Sequence, residues 1–337
     1  MTTTNQVRRL DASRVGPVLG LLVDDLVPSD AHVVIPAKNK AGSIAATIVH
    51  LVRLGFPKKR IHVIVNGSDD NTEAVARNTN AATVWTQDEA LGLVPHTLAT
   101  MSKFRIDESD LSGKGFAMFM GVLVLEHLGV PDDAPVIFLD ADIANLDAVN
   151  PVGCLLAGWH VWREDRPDII KLAAQGRQNE GVIAYLNNTE LFNIGALEWP
   201  LCGQVIVPWK VLREMRFASR YGVEIAMLIH IMWRRRSLRA FGEVALSVPL
   251  VDDANSDAVH TRMYTTIIGF VSDLLRTTRG HHGLLGYPEI GAFNTLGPMR
   301  SYIPSSTGTS SHLEDLPRDR ILPSVQDIRL ATRLAGG

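Results

Sequence analysis

The chain has 337 residues, 46% of them hydrophobic and 20% charged, with a formal net charge of -3. That length suits one large α/β domain or a domain with a smaller lobe, and that composition is ordinary for a soluble globular protein. The charge gives no reason to expect nucleic acid or an anionic membrane as a partner.

The leader, residues 1–14, has no apolar core of the kind a signal peptide carries, and the longest apolar runs, 116–125 and 222–233, are too short to span a bilayer. A cytoplasmic protein is expected. Cys154 and Cys202 both lie in apolar stretches and are read as two buried thiols rather than a disulfide.

A short helix is predicted over 17–26, then a buried strand over 32–36 stopped by Pro36. Residues 41–54 carry apolar side chains at helical spacing until Gly55 and Pro57 end the pattern. Strand 60–66, the turn Gly67-Ser68-Asp69-Asp70, a helix over 71–78 and strand 82–86 follow. This alternation predicts a mostly parallel sheet with helices on both faces. Residues 87–112 read as a loop region with one short helix, 113–129 as a strong helix, and 134–139 as an apolar strand. Beyond it, strands are predicted over 169–174 and 241–251 and helices over 221–234 and 256–276. The stretch from Gly280 is rich in Gly, Pro and Ser, and no structure is forced on it. It is expected to wrap over the surface or a neighbouring subunit. The expected division is a leader over 1–30, a nucleotide-binding part over 31–150, an acceptor part over 151–280 and a tail over 281–337.

Three polar clusters, Lys38-Asn39, Asn66–Asp70 and Asp140-Ala141-Asp142, all follow the C-terminal ends of predicted strands. Ligands of open α/β sheets bind along that edge. Two carboxylates one residue apart at a strand end can share a hard cation such as Mg²⁺ or Mn²⁺ and link it to substrate phosphates, or they can simply cap a turn. Gly113-Lys114-Gly115 opens a helix, where glycines allow close backbone approach and a lysine favours phosphate; the spacing is not that of a Walker loop. The Asn66–Thr72 turn suits a base or ribose and equally any strand-to-helix connection. His260 is a further candidate metal ligand, and Arg234-Arg235-Arg236 reads as a solvated helix end.

In order, the segments 33–39, 65–72, 113–115, 138–142, 200–204 and 221–225 resemble GT-A glycosyltransferases, in particular the glucosyl-3-phosphoglycerate and mannosyl-3-phosphoglycerate synthases. The resemblance covers about residues 30–280. It implies a retaining transfer of a hexose from UDP-glucose or GDP-mannose to a small hydroxy acid, 3-phosphoglycerate or glycerate, with Mg²⁺ or Mn²⁺, in a homodimer. It further implies that Pro36, Ala37, Asn39 and Ser68 line the nucleotide and that Lys114 lies by its diphosphate. Asp140 and Asp142 would hold the metal and ribose side, Gly203 would lie by the donor sugar, and Tyr221 and Glu224 by the sugar and acceptor. Glu224, Lys114 and Asp142 are therefore the expected catalytic groups.

The chain departs from that pattern at three points. Lys40 replaces an acidic residue. Only Thr189 remains of an acceptor-phosphate segment, at 186–189, that elsewhere contains an arginine suited to phosphate. The metal-binding histidine has no clean counterpart, and Asp252, Asp253 or His260 is the substitute. An inverting enzyme of the same fold, or a nucleotide-sugar-binding protein without turnover, would use the same nucleotide-side residues.

Overall fold

A computed structural model describes residues 6–21, 26–107, 110–173, 196–251, 257–278, 299–304, 311–316 and 318–335. Among these residues the centre of the molecule is one eight-stranded sheet. Its strands are β1 (Arg8–Leu10), β2 (His32–Ala37), β3 (Ile61–Val65), β4 (Thr83–Thr86), β5 (Pro135–Phe138), β6 (Ile169–Ala173), β7 (Val205–Pro208) and β8 (Phe241–Ala245). The spatial order is β1-β8-β6-β7-β5-β2-β3-β4. All neighbours run parallel except β7, which is antiparallel to both β5 and β6.

The strands alternate their side chains between two cores, as the pleat requires. Val34, Ile64, Val136, Phe138 and Val207 enter one core. Val33, Ile35, Val63, Ile137 and Ile206 enter the other. The first core is filled by the helix Lys114–His127, whose residues from Gly115 to Leu125 are all buried, and by the helix Val223–Arg235. Gly121 lets the former lie on the sheet, because a Cβ there would overlap Val34. The helices Ile44–Arg53 and Pro151–Val161 cover the opposite face.

The strands expected over 32–36, 60–66, 82–86, 134–139 and 169–174 are present within a residue or two, and so are the helices of residues 72–78, 114–127 and 223–235, whereas the helix expected over 41–54 starts three residues later, as Ile44–Arg53. The strand expected over 241–251 stops at Ala245. Other elements correct the sequence reading. The leader supplies an edge strand, β1, and its helix runs Ala12–Leu21. Residues 87–112 hold two helices, Gln87–Gly92 and Thr97–Lys103, the first begun by a reciprocal Thr86–Glu89 capping box. The described parts of the tail are structured: β9 (Met299–Pro304) and β10 (Ser311–Leu316) form an antiparallel pair, and the helix Val325–Ala335 packs on the first core through Val325 and Ile328. Neither cysteine forms a disulfide, and both are buried. Burial raises the Cys154 thiol pKa to about 11. No described helix is long and apolar enough to cross a membrane.

Candidate active site

The turns after β2, β3 and β5 meet at the C-terminal edge of the parallel strands. Asn66 N–H extends the β2–β3 ladder by donating to the Ala37 carbonyl (3.1 Å), and its side-chain amide donates to the Gly113 carbonyl (3.0 Å). The β2 turn is locked to the β3 turn: Asn39 N–H donates to Ser68 Oγ (3.1 Å), Asp69 N–H to Asn39 Oδ1 (2.8 Å) and Lys40 N–H to Thr72 Oγ1 (2.7 Å). Asp70 ties both turns together, accepting from Ala41 N–H (3.1 Å) and Thr72 N–H (2.9 Å) and from the Thr72 hydroxyl. The hydrogen bond from that hydroxyl is the main reason the Asp70 carboxyl pKa lies below the usual range. The turns that carry Asn39 and Ser68, directly beyond Pro36 and Ala37 of β2 in the first case, thus form one wall, with their conformation fixed by side chains.

The second wall is ionic. Lys114 Nζ lies 2.7 Å from Asp140 Oδ1 and 2.8 Å from Glu224 Oε1. Gln204 Nε2 donates to the other Asp140 oxygen at 2.7 Å, and Cys202 Sγ to Gln204 Oε1 at 3.0 Å. Burial works against the Lys114 charge, but the Asp140 and Glu224 carboxylates overcome it, so its pKa is raised and it stays an ammonium at any physiological pH. Gly203 sits against this triad. A Cβ there would overlap Lys114 Nζ and lie 3.1 Å from Glu224 Oε1 and 3.2 Å from Asp140 Oδ2. The cavity behind it is about 10 Å³, lined by Met118, Lys171, Gly203 and Glu224 among others, which is space for at most one water.

Asp142 belongs to neither wall. Its Oδ2 lies 2.7 Å from Lys40 Nζ, so each aspartate of the pair faces a lysine. Two residues on, Ala144 N–H donates to the Val251 carbonyl (2.7 Å), and Asn145 bonds Pro249 O and Val251 N (2.8 and 3.0 Å). The chain leading to Asp252 and Asp253 is therefore docked beside the aspartate pair. Asp253 and Thr189 themselves, and the side chain of His260, lie outside the described residues. Among the described residues no group of three His, Cys, Asp or Glu side chains converges as a metal cage. Asp140 and Asp142 nevertheless fit a hard cation that draws its remaining ligands from phosphates and water.

Glu224 stands in the first turn of the Val223–Arg235 helix, and Tyr221, 37% exposed, stands in the loop before it. That loop is gripped from both sides. Gly115 and Phe116 N–H donate to the Arg220 and Ser219 carbonyls (3.1 and 2.6 Å). This corrects the phosphate reading of the 113–115 segment: these first-turn donors serve protein carbonyls, and Lys114 alone faces the site. From the other side Ser219 N–H donates to Arg320 O and Leu322 N–H to Phe217 O, both at 2.8 Å. Asp319 accepts from the N–H groups of Arg220 and Gly222, the latter at 3.1 Å. Burial lifts the Asp319 carboxyl pKa to about 7 against the pull of these donors and of Arg220, with the Glu224 charge adding to the rise.

Sequence reasoning missed Lys40 as the Asp142 partner, Gln204 as the Asp140 donor and Asp319 as the loop anchor. Gln204 lies in the 200–204 segment, whereas Asp319 is about 100 residues from its partners and carries no local signal. The triple arginine is not simply solvated, since Arg234 pairs with Glu214 and Arg235 with Asp168.

With this geometry in view, the sequence profile described as Glycosyl transferase family 2 matches residues 32–94, the β2-to-β4 wall. No curated protein matches the chain. The fold is similar to glucosyl-3-phosphoglycerate synthase from Mycobacterium tuberculosis in complex with Mn²⁺, uridine-diphosphate and phosphoglyceric acid. There the identity is 21%, the TM-score 0.64, and the match covers 93% of this chain and 94% of that one. The same enzyme with Mn²⁺ and UDP-glucose gives 20% identity and a TM-score of 0.65 over 95% and 98% of the two chains. The chain has a GT-A fold.

Proposed function

We propose that the protein is a glycosyltransferase that moves a hexose from a nucleotide-diphosphate sugar, UDP-glucose or GDP-mannose, to a small hydroxy acid such as 3-phosphoglycerate or glycerate, with retention and with Mg²⁺ or Mn²⁺. The observation that carries this reading is the Lys114 ammonium, held permanently charged between Asp140 and Glu224 at the strand edge. The similarity to synthases crystallised with UDP-glucose and phosphoglyceric acid supports the donor and acceptor classes.

The diphosphate leaves as an anion, so positive charge fixed at its position lowers the barrier by stabilising the transition state more than the ground state. Lys114 supplies such a charge without reorganising. Asp140 and Asp142 would hold the cation, which when bound neutralises phosphate charge as a Lewis acid. Glu224, acceptor-only when ionised, would hold a sugar or acceptor hydroxyl while Gly203 leaves the anomeric carbon room to approach. The homodimer, the Asp253 or His260 ligand and the Thr189 contact belong to this proposal as well.

The test is Asp142→Ala with a thermal-shift series of UDP, GDP and their hexose sugars, with and without Mn²⁺. The expected result is loss of turnover and of metal-dependent nucleotide stabilisation, because a ligand raises apparent stability only while it binds the folded state. Near-wild-type turnover in Asp142→Ala would overturn the assignment.

A further inference from the structure

The aspartate pair carries a cation of its own on each member, and the two are placed differently. Lys114 is clamped by two carboxylates and overlain by Gly203. Lys40 reaches Asp142 from the opposite wall, in the turn directly after β2. Its backbone is fixed: the N–H donates to Thr72 Oγ1 at 2.7 Å, and the carbonyl accepts from Ser43 and Ile44 N–H at 3.1 and 3.0 Å. Only the flexible side chain can leave, and its four-carbon stem can swing the ammonium out without disturbing the turn.

A divalent ion bound through Asp142 needs the carboxylate that the Lys40 ammonium now meets at 2.7 Å. Two cations at one carboxylate repel each other strongly when side-chain exposure is only 24% and 17% for the two partners. Lys40 and Lys114 each pair with one aspartate, so a free divalent ion meets an ammonium already in place at both carboxylates. A nucleotide diphosphate changes this balance by bringing at least two negative charges and new acceptors for the lysine.

We propose that Lys40 is a resident counter-cation that competes with the divalent metal for Asp142, so that metal binds firmly only together with the nucleotide diphosphate, whose phosphates take over the lysine. This rests on the metal-dependent reading above and sharpens it into a binding order set by one residue. Linkage requires the effect to be reciprocal: nucleotide strengthens metal binding by the factor by which metal strengthens nucleotide binding. Removing the Lys40 charge uncouples part of that factor.

The experiment is a Mn²⁺ titration followed by the electron paramagnetic resonance signal of the free ion, with and without UDP, on the full chain. Wild type, Lys40→Met, Lys40→Gln and Asp142→Asn are compared, with thermal unfolding checked for each. Without nucleotide, Lys40→Met and Lys40→Gln are expected to bind Mn²⁺ at least ten-fold more tightly than wild type, and Asp142→Asn to lose the site. UDP should tighten Mn²⁺ binding clearly more in wild type than in either lysine variant. If both lysine variants bind free Mn²⁺ within two-fold of wild type while UDP still promotes Mn²⁺ binding, the competition is refuted and the metal-dependent reading stands. If no variant binds Mn²⁺ even with UDP, both fall.

Discussion

Gly203→Ala isolates the Lys114 triad without deleting any of its charges. The new methyl would overlap the Lys114 ammonium and press on Glu224 Oε1 and Asp140 Oδ2, at 3.1 and 3.2 Å. The two carboxylates are held by a helix and by Gln204, whereas the ammonium is the end of a flexible chain, so the lysine gives way. Ordinary contact needs a displacement on the order of 1 Å. That breaks or lengthens ion pairs that now stand at 2.7 and 2.8 Å. Misplacing a group by about that distance costs roughly 100-fold in rate. Losing one preorganised charge contact to the leaving group costs about 2.7–4 kcal/mol of transition-state stabilisation. The two estimates agree on a drop in kcat/KM of about two to three orders of magnitude. The fold should lose little, about 1–3 kcal/mol as for a small overpacking. Release of nucleoside diphosphate from UDP-glucose and GDP-mannose measures the first quantity and urea unfolding the second. Activity within two-fold of wild type, in a variant that unfolds normally, would refute the role of the triad.

Two pH effects on stability are expected, with opposite signs. His32, His62 and His230 have pKa values lowered to about 3, 4 and 4, first by burial and then by neighbouring charge, from His62 and Arg60 for the first, Arg60 for the second, and Arg234 and Arg216 for the third. They fold neutral, so the stability they contribute is present above about pH 6.5 and lost as pH falls towards 4, where the unfolded chain takes up protons first. Thermal midpoints between pH 4 and 7.5 should fall steeply on the acid side, and less steeply in His62→Gln; equal slopes would contradict this. Asp319 behaves oppositely, because burial raises its pKa to about 7. Its contribution is full below the usual carboxylate pKa near 4 and is lost as pH rises through 7, so Asp319→Asn should gain stability relative to wild type between pH 4.5 and 7.5. A constant difference across that range in paired urea titrations would refute the buried, proton-binding carboxylate.

The parallel strands β2 and β3 were legible because each is a short apolar run closed by Pro or by a Gly-Ser-Asp turn, at Pro36 and Gly67. β1 and β7 were not. Arg8–Leu10 is two arginines and a leucine whose pairing partner is more than 230 residues away at β8. Val205–Pro208 has no local feature that reveals its antiparallel direction, which follows from where the chain re-enters the sheet between β5 and β6. The tail was misjudged on composition although a signal was present. Ser324 and Asp327 exchange backbone-to-side-chain hydrogen bonds at 3.1 and 2.8 Å, a serine-x-x-acid start of the helix that follows. Thr86–Glu89 is the same signal, overlooked in the segment read as loop.

The aspartate pair, Lys114, Gly203 and Glu224 could be named from ordered short motifs, but the reason the motif contains glycines could not. Gly113 has φ +102°, and a Cβ on it would lie 3.0 Å from Arg220 Cα and from Ser219 O; a Cβ on Gly115 would overlap Ala218 O. These glycines therefore admit the 218–220 backbone rather than a phosphate. The contact they permit fixes the loop that leads into Glu224, and residues 319–322 hold the same loop from the far side. The separation between Lys114 and Glu224 is thus set by three segments that meet only in the fold. Electrostatic preorganisation of this kind depends on rigidity more than on the identity of the charged pair. A change at Gly115 or Asp319 is therefore expected to act on the proposed chemistry through the 217–222 loop.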